Sequence, residues 1–168
     1  MTTDAATRQG SDASITLRPI RQEDQPFLVA VYASTREQEL VALPWADAQK
    51  AAFLQMQFDA QHAQYQEYYA GATFDVILVE NTPAGRLYVM RAGEEIRIVD
   101  IALLPDYCNR GIGTTLLRGL QSEAAATGKP LRIHVERFNP ALGLYQRLGF
   151  REIADRGIYQ FMEWRNGT

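Results

Sequence analysis

The chain has 168 residues, 46% of them apolar and 22% charged, a balance that suits one soluble domain at roughly 100–200 residues per domain and speaks against disorder or a fibrous fold. Seventeen basic residues against twenty acidic ones leave a net charge of −3, so nothing here builds the basic field that nucleic acid requires. No apolar run approaches the ~20 residues of a membrane span, and one cysteine, Cys108, excludes an internal disulfide and a cysteine-built zinc cage.

Residues 1–13 are polar and lack the apolar centre of a secretory signal. They are expected to form a loose tail on a cytoplasmic protein. Ser14 to Ile20 alternates polar and apolar residues, the period of a half-buried strand. Asp24 is placed to cap a helix whose apolar residues Phe27, Leu28, Val31 and Tyr32 recur at three- and four-residue spacing. Asp47 is the expected cap of a second helix running to about Gly71. Its stripe of Leu54, Phe58, His62, Tyr65 and Tyr69 is read as packing.

The period then changes. Phe74 to Val79 and Arg86 to Met90 read as a hairpin with its turn at Thr82-Pro83-Ala84-Gly85, and Ile96 to Leu104 as a long strand. Gly111 to Thr127 is a helix with Leu116, Leu117, Leu120 and Ala124 on one face, closed by Gly128 and Pro130. A strand at Leu131–Glu136, a short helix at Ala141–Leu148 and strands at Arg151–Ala154 and Tyr159–Trp164 complete the chain. This order implies a mixed α/β sheet covered by helices.

The chemistry is concentrated where the long strand passes through Pro105 into Asn109-Arg110-Gly111-Ile112-Gly113-Thr114. Helix-initial N–H groups have no internal partners and sit at the positive end of the helix dipole, while glycine lets a phosphate come close. The expected guest is a diphosphate. A dinucleotide fingerprint would need a third glycine where Leu116 stands, and a P-loop would need a lysine before Thr114-Thr115; both are missing.

The run from Ile101 to Leu117, with Arg110-Gly111-Ile112-Gly113 at its centre, resembles the acyl-CoA-binding motif of the GNAT N-acetyltransferase superfamily. Asn139-Pro140-Ala141 followed by Leu144-Tyr145-Gln146-Arg147-Leu148-Gly149-Phe150 is similar to that family's downstream segment. The resemblance implies one acyl-CoA N-acyltransferase domain over residues 14–168, with a mixed, mostly antiparallel sheet that binds acyl-CoA at a splayed strand edge. It implies that Ile101, Ala102 and Leu103 bond the pantetheine arm, and that the backbone from Cys108 through Asn109, Arg110, Gly111, Ile112, Gly113 and Thr114 holds the pyrophosphate. Asn139 would touch the cofactor, and Tyr145 would protonate the departing thiolate. The family usually has Arg or Gln at the position of Cys108, and the interval from Asn139 to Tyr145 is one residue shorter than in many relatives.

Acetyl transfer from acetyl-CoA to an amine also needs a proton acceptor. Asp100 on the long strand and His134 and Glu136 on the next are the candidates, and His134 stands where some ribosomal-protein acetyltransferases of this family carry a glutamate. The expected protein is a metal-free N-acetyltransferase acting directly on a primary amine in a ternary complex. The alternative is a CoA-binding or interaction module that has lost catalysis. Neither nucleic acid nor a membrane is an expected partner. Dimers are common among look-alikes, which leaves a homodimer open.

Overall fold

A computed structural model of the chain describes residues 13–167; of the expected tail, all but Ala13 lies outside the described residues. The elements follow in the order β1 (Ile15–Pro19), a 3-10 turn (Gln22–Asp24), α1 (Gln25–Val41), α2 (Asp47–Tyr68), β2 (Thr73–Val79), β3 (Thr82–Arg91) and β4 (Ile96–Leu103). A second 3-10 turn (Pro105–Tyr107), α3 (Ile112–Thr127), β5 (Leu131–Glu136), α4 (Leu142–Arg147), β6 (Arg151–Arg156) and β7 (Tyr159–Trp164) complete it. The strands form a seven-stranded sheet in the order β1-β2-β3-β4-β5-β7-β6, with β4 and β5 its parallel neighbours. Among the described residues no helix is long and apolar enough to cross a membrane.

The hairpin turn lies two residues earlier than expected. Glu80 and Asn81, with φ of 49° and 64°, form a two-residue turn between the paired Val79 and Thr82, because such turns need positive φ at both positions and asparagine tolerates it. Pro83 and Gly85 belong to β3 instead. Pro83 fits because the β2–β3 register shifts beside it, between Ile77 and Leu78. Gly85 fits because a Cβ there would run into the Ala102 carbonyl and stand 3.0 Å from Leu103 Cα, so β3 and β4 can approach closely at this point.

Neither expected aspartate cap is made. Asp24 accepts bonds from Arg18 Nη1 and Nη2 (2.7 and 2.8 Å) and from the Arg21 N–H (2.7 Å), so its carboxylate ties β1 to the 3-10 turn and not to α1. The Arg18 guanidinium holds that carboxyl below its ordinary range. Asp47 is the first residue inside α2, and the cap position falls to Ala46, whose N–H donates to Gln49 Oε1 (3.0 Å).

Directly paired residues of antiparallel strands share a face of the sheet. One face carries Leu87, Val89, Ile96, Ile98, Leu131, Ile133 and Val135 into a core with Ile112, Leu117, Leu120 and Ala124 of α3. Tyr145 and Phe150 close that core from below. A smaller cluster of Leu28, Tyr32 and Phe58 packs α1 against α2, and on the sheet's other face Arg86 and Tyr88 meet these helices at Tyr32, Gln61 and Tyr65.

Candidate active site

The β4–β5 ladder is short. Only Ile96, Arg97 and Ile98 pair with Leu131, Arg132 and Ile133; beyond that rung the strands part. Ile101, Ala102 and Leu103 remain paired to Leu87, Arg86 and Gly85 of β3 on one side. Among the described residues no strand receives their other edge, which offers peptide groups to an extended ligand.

At the far end of this edge the chain turns into α3. Asn109 and Gly111 hold φ of 59° and 80°, and the first bond of the helix runs from the Thr115 N–H to the Gly111 carbonyl at 3.0 Å. The N–H groups of Ile112, Gly113 and Thr114 therefore precede any intrahelical carbonyl and sit at the positive end of the helix. Thr115 spends its hydroxyl on the Gly111 carbonyl (3.0 Å). Cys108 is exposed, its N–H donates to the Pro105 carbonyl (3.1 Å), and its Sγ lies 3.5 Å from the Leu104 carbonyl. Its backbone donor is thus occupied, and the donors left for an anion begin at Asn109. Arg110 stacks over Tyr107, 5.4 Å from the ring centroid.

Two groups lie on opposite faces of the sheet near the parting strands, close enough for the charge of one to act on the other. Tyr145 belongs to the core on the α3 side, is 4% exposed and packs edge-on to Phe150 at 5.5 Å. Burial, and next the charge of Asp100, push its phenol well above the ordinary tyrosine range, so it keeps its proton at any physiological pH. Asp100 approaches from the opposite face. It pairs with Tyr88 on β3, and its Oδ2 accepts from Arg86 Nη2 at 2.8 Å and from the Tyr65 hydroxyl at 3.3 Å. Among the described residues its Oδ1 has no donor.

The other two candidate proton acceptors are differently placed. The His134 ring stacks on Phe161 at 4.5 Å, and its Nδ1 faces Arg97 Nη1 at 3.2 Å. Arginine only donates, so Nδ1 supplies the lone pair and the neutral ring carries its proton on Nε2. Burial, then the charges of Arg97 and Arg156, lower its basicity. Glu136 receives Arg36 Nη1 at 3.4 Å and is 39% exposed at the open end of β5. Asn139 uses its Oδ1 to accept from the Ala141 N–H (2.8 Å), fastening the entry to α4.

The sequence reading missed Arg86, Tyr65 and Gln61, the ring of polar groups around Asp100. Gln61 Oε1 accepts from Arg86 Nη2 at 3.0 Å, and Tyr65, read as helix packing, does pack against Tyr88 but also donates to Asp100. His62 stacks on Phe58 at 5.3 Å, as its place in the helical stripe suggests. A cleft lined by Ala33, Ser34, Glu37, Leu40, Val41, Lys50 and Leu54 of α1 and α2 includes none of the candidate site residues. Among the described residues no group of three or more His, Cys, Asp or Glu could hold a metal ion.

Comparison with known proteins agrees with this fold. No curated protein matches the chain in sequence. Among solved structures it is similar to the PaiA N-acetyltransferase of Thermoplasma acidophilum in complex with coenzyme A, with 18% identity, a TM-score of 0.68 and coverage of 90% of this chain and 99% of that one. An acetyltransferase from Thermus thermophilus is similar with 19% identity, a TM-score of 0.65 and coverage of 90% and 97%. The ribosomal-protein-S18-alanine N-acetyltransferase of Escherichia coli is similar with 24% identity, a TM-score of 0.57 and coverage of 89% and 91%. At these identities the likeness establishes the fold. The family model described as the acetyltransferase (GNAT) domain matches residues 70–152, the stretch holding β4, the turn into α3 and Tyr145, and with the shared fold it places the chain in the GNAT family of acetyltransferases.

Proposed function

We propose that the protein is an N-acetyltransferase that moves the acetyl group of acetyl-CoA directly to a primary amine, both bound at once. The observation that carries this reading is the opening between β4 and β5, with Tyr145 on one side, Asp100 on the other, and the free N–H groups of Ile112, Gly113 and Thr114 at its end. The unpaired edge of Ile101–Leu103 suits the amides of a pantetheine arm, and the α3 terminus suits a pyrophosphate. Acetyl-CoA supplies an activated thioester carbonyl.

The chain's own groups supply the proton movements. The amine nitrogen bonds to the carbonyl carbon as the carbon–sulfur bond breaks. Asp100 Oδ1 takes the proton the amine must lose, and the Tyr145 hydroxyl gives one to the departing sulfur. Asp100 serves better than His134, whose lone pair is turned to Arg97, and better than Glu136, which lies at the exposed end of β5. Two proton-transfer groups on opposite sides of one opening favour attack without a covalent enzyme intermediate.

The expected result with acetyl-CoA and a panel of primary amines is release of CoA thiol that depends on one class of amine, with the acetylated amine detected by mass spectrometry. Tight acetyl-CoA binding with no acetylated product from any amine would point to a CoA-binding module instead.

A further inference from the structure

A carboxylate that accepts a proton from a substrate must present one particular oxygen, and the contacts around Asp100 select one. Arg86 Nη2 and the Tyr65 hydroxyl both reach Oδ2, at 2.8 and 3.3 Å. Arg86 is in turn fixed by Gln61 Oε1 at 3.0 Å and lies between two aromatic rings, 6.0 Å from the centroid of Tyr32 and 5.2 Å from that of Tyr88. It is 3% exposed.

This arrangement is poorly explained as a device for stability. A buried ion pair often contributes no more than apolar residues of the same volume, since both ions lose their water. The polar cluster is also incomplete. Among the described residues, Arg86 Nε, the Tyr88 hydroxyl and His62 Nδ1 are buried with no protein group in hydrogen-bond geometry, a costly state in a low-dielectric interior. The pair sits two residues beyond the last β4–β5 rung at Ile98, where the strands part.

We infer that Arg86, assisted by Tyr65, is a positioning residue for acetyl transfer: it anchors Oδ2 of Asp100 so that Oδ1 alone is free to receive the amine proton. The inference rests on Asp100 being the proton acceptor. It adds that the acceptor's orientation is set from β3 and α2, elements the family's two sequence motifs do not include.

A double-mutant cycle tests it. The readout is release of CoA thiol at saturating acetyl-CoA, with n-propylamine as the probe amine and with water alone at high enzyme concentration. Asp100→Asn is expected to lower kcat about 100-fold, within the span ascribed to general base catalysis. Arg86→Met should lower it roughly 10- to 100-fold, with KM for acetyl-CoA changed less than about twofold, as expected when an interaction acts only on the chemical step. Arg86→Lys should recover part of the loss. The double variant Arg86→Met/Asp100→Asn should be no slower than Asp100→Asn alone, because residues acting through one another are not additive.

Multiplying effects, or full kcat in Arg86→Met beside a slow Asp100→Asn, would overturn the role of Arg86 while leaving Asp100 in place. Wild-type turnover in Asp100→Asn would overturn the proton-acceptor assignment and the role of Arg86 with it. A wild-type chain that releases no thiol with n-propylamine, with any amine of the panel or with water would overturn the acetyl-transfer reading itself. Should Arg86→Met fail to fold, Tyr65→Phe removes the other Oδ2 donor without stranding a charge, and its cycle with Asp100→Asn is read in the same way.

Discussion

Gly111→Glu is expected to abolish acetyl-CoA binding, raising Kd by at least about 100-fold in a calorimetric titration. Gly111 holds φ of 80° at the N-cap of α3, a conformation that costs a non-glycine residue roughly 1 kcal/mol. A Cβ there meets nothing within 4 Å, so the chain folds around the new side chain and the effect falls on the ligand. The glutamate places a negative charge among the free N–H groups of Ile112, Gly113 and Thr114, the position the pyrophosphate needs. Gly111→Ala separates the two causes: it carries the backbone strain without the charge, and should weaken binding by less than about tenfold. Equal losses in the two variants would make backbone shape, not charge, the determinant.

Tyr145→Phe is expected to reduce kcat by about 100-fold or more, within the span observed for general acid–base groups, while acetyl-CoA affinity stays within about twofold. The ring is 4% exposed and packs edge-on to Phe150 at 5.5 Å, contacts a phenylalanine retains. Only the hydroxyl is lost, and burial together with the charge of Asp100 keeps that hydroxyl protonated in the native protein. Single-turnover release of CoA thiol checks this, because it separates chemistry from product release. A variant as fast as the wild type would remove Tyr145 as the proton donor.

The features legible in the sequence are those written in local signals. The apolar run of β4, Pro105, the glycines opening α3 and the Gly128–Pro130 stop each act within a few residues, and the structure places α3 at Ile112–Thr127 accordingly. The hairpin turn was misplaced because Pro83 and Gly85 carry the usual turn chemistry, while the positive φ values fall on Glu80 and Asn81. The polar cluster around Asp100 was hidden for a different reason. Ile98 and Asp100 are two residues apart, so strict alternation would put both on the α3 face of the sheet. The ladder instead pairs Val89 with Ile98 and Tyr88 with Asp100, passing over Val99, and this bulge turns Asp100 to the α2 side where Arg86 and Tyr65 meet it. A bulge leaves no mark on composition, and the contact between Arg86 and Asp100 exists only once register is set. For the same reason His134 read as an available base: its stacking on Phe161 and its contact with Arg97 arise from strands that pair only in the folded sheet.

Acetyl transfer at the β4–β5 opening requires first that acetyl-CoA bind there. The most direct measurement is thermal stability of the wild-type chain titrated with acetyl-CoA, CoA, NAD and ATP, since a ligand that binds only the folded state stabilises it by RT ln(1 + [L]/Kd), about 2.7 kcal/mol at one hundred times Kd. The expected result is a concentration-dependent rise in Tm with acetyl-CoA and CoA, absent in Gly111→Glu and absent with NAD and ATP. A protein that mass spectrometry shows to be free of bound CoA, yet whose Tm is unmoved by acetyl-CoA, would contradict it.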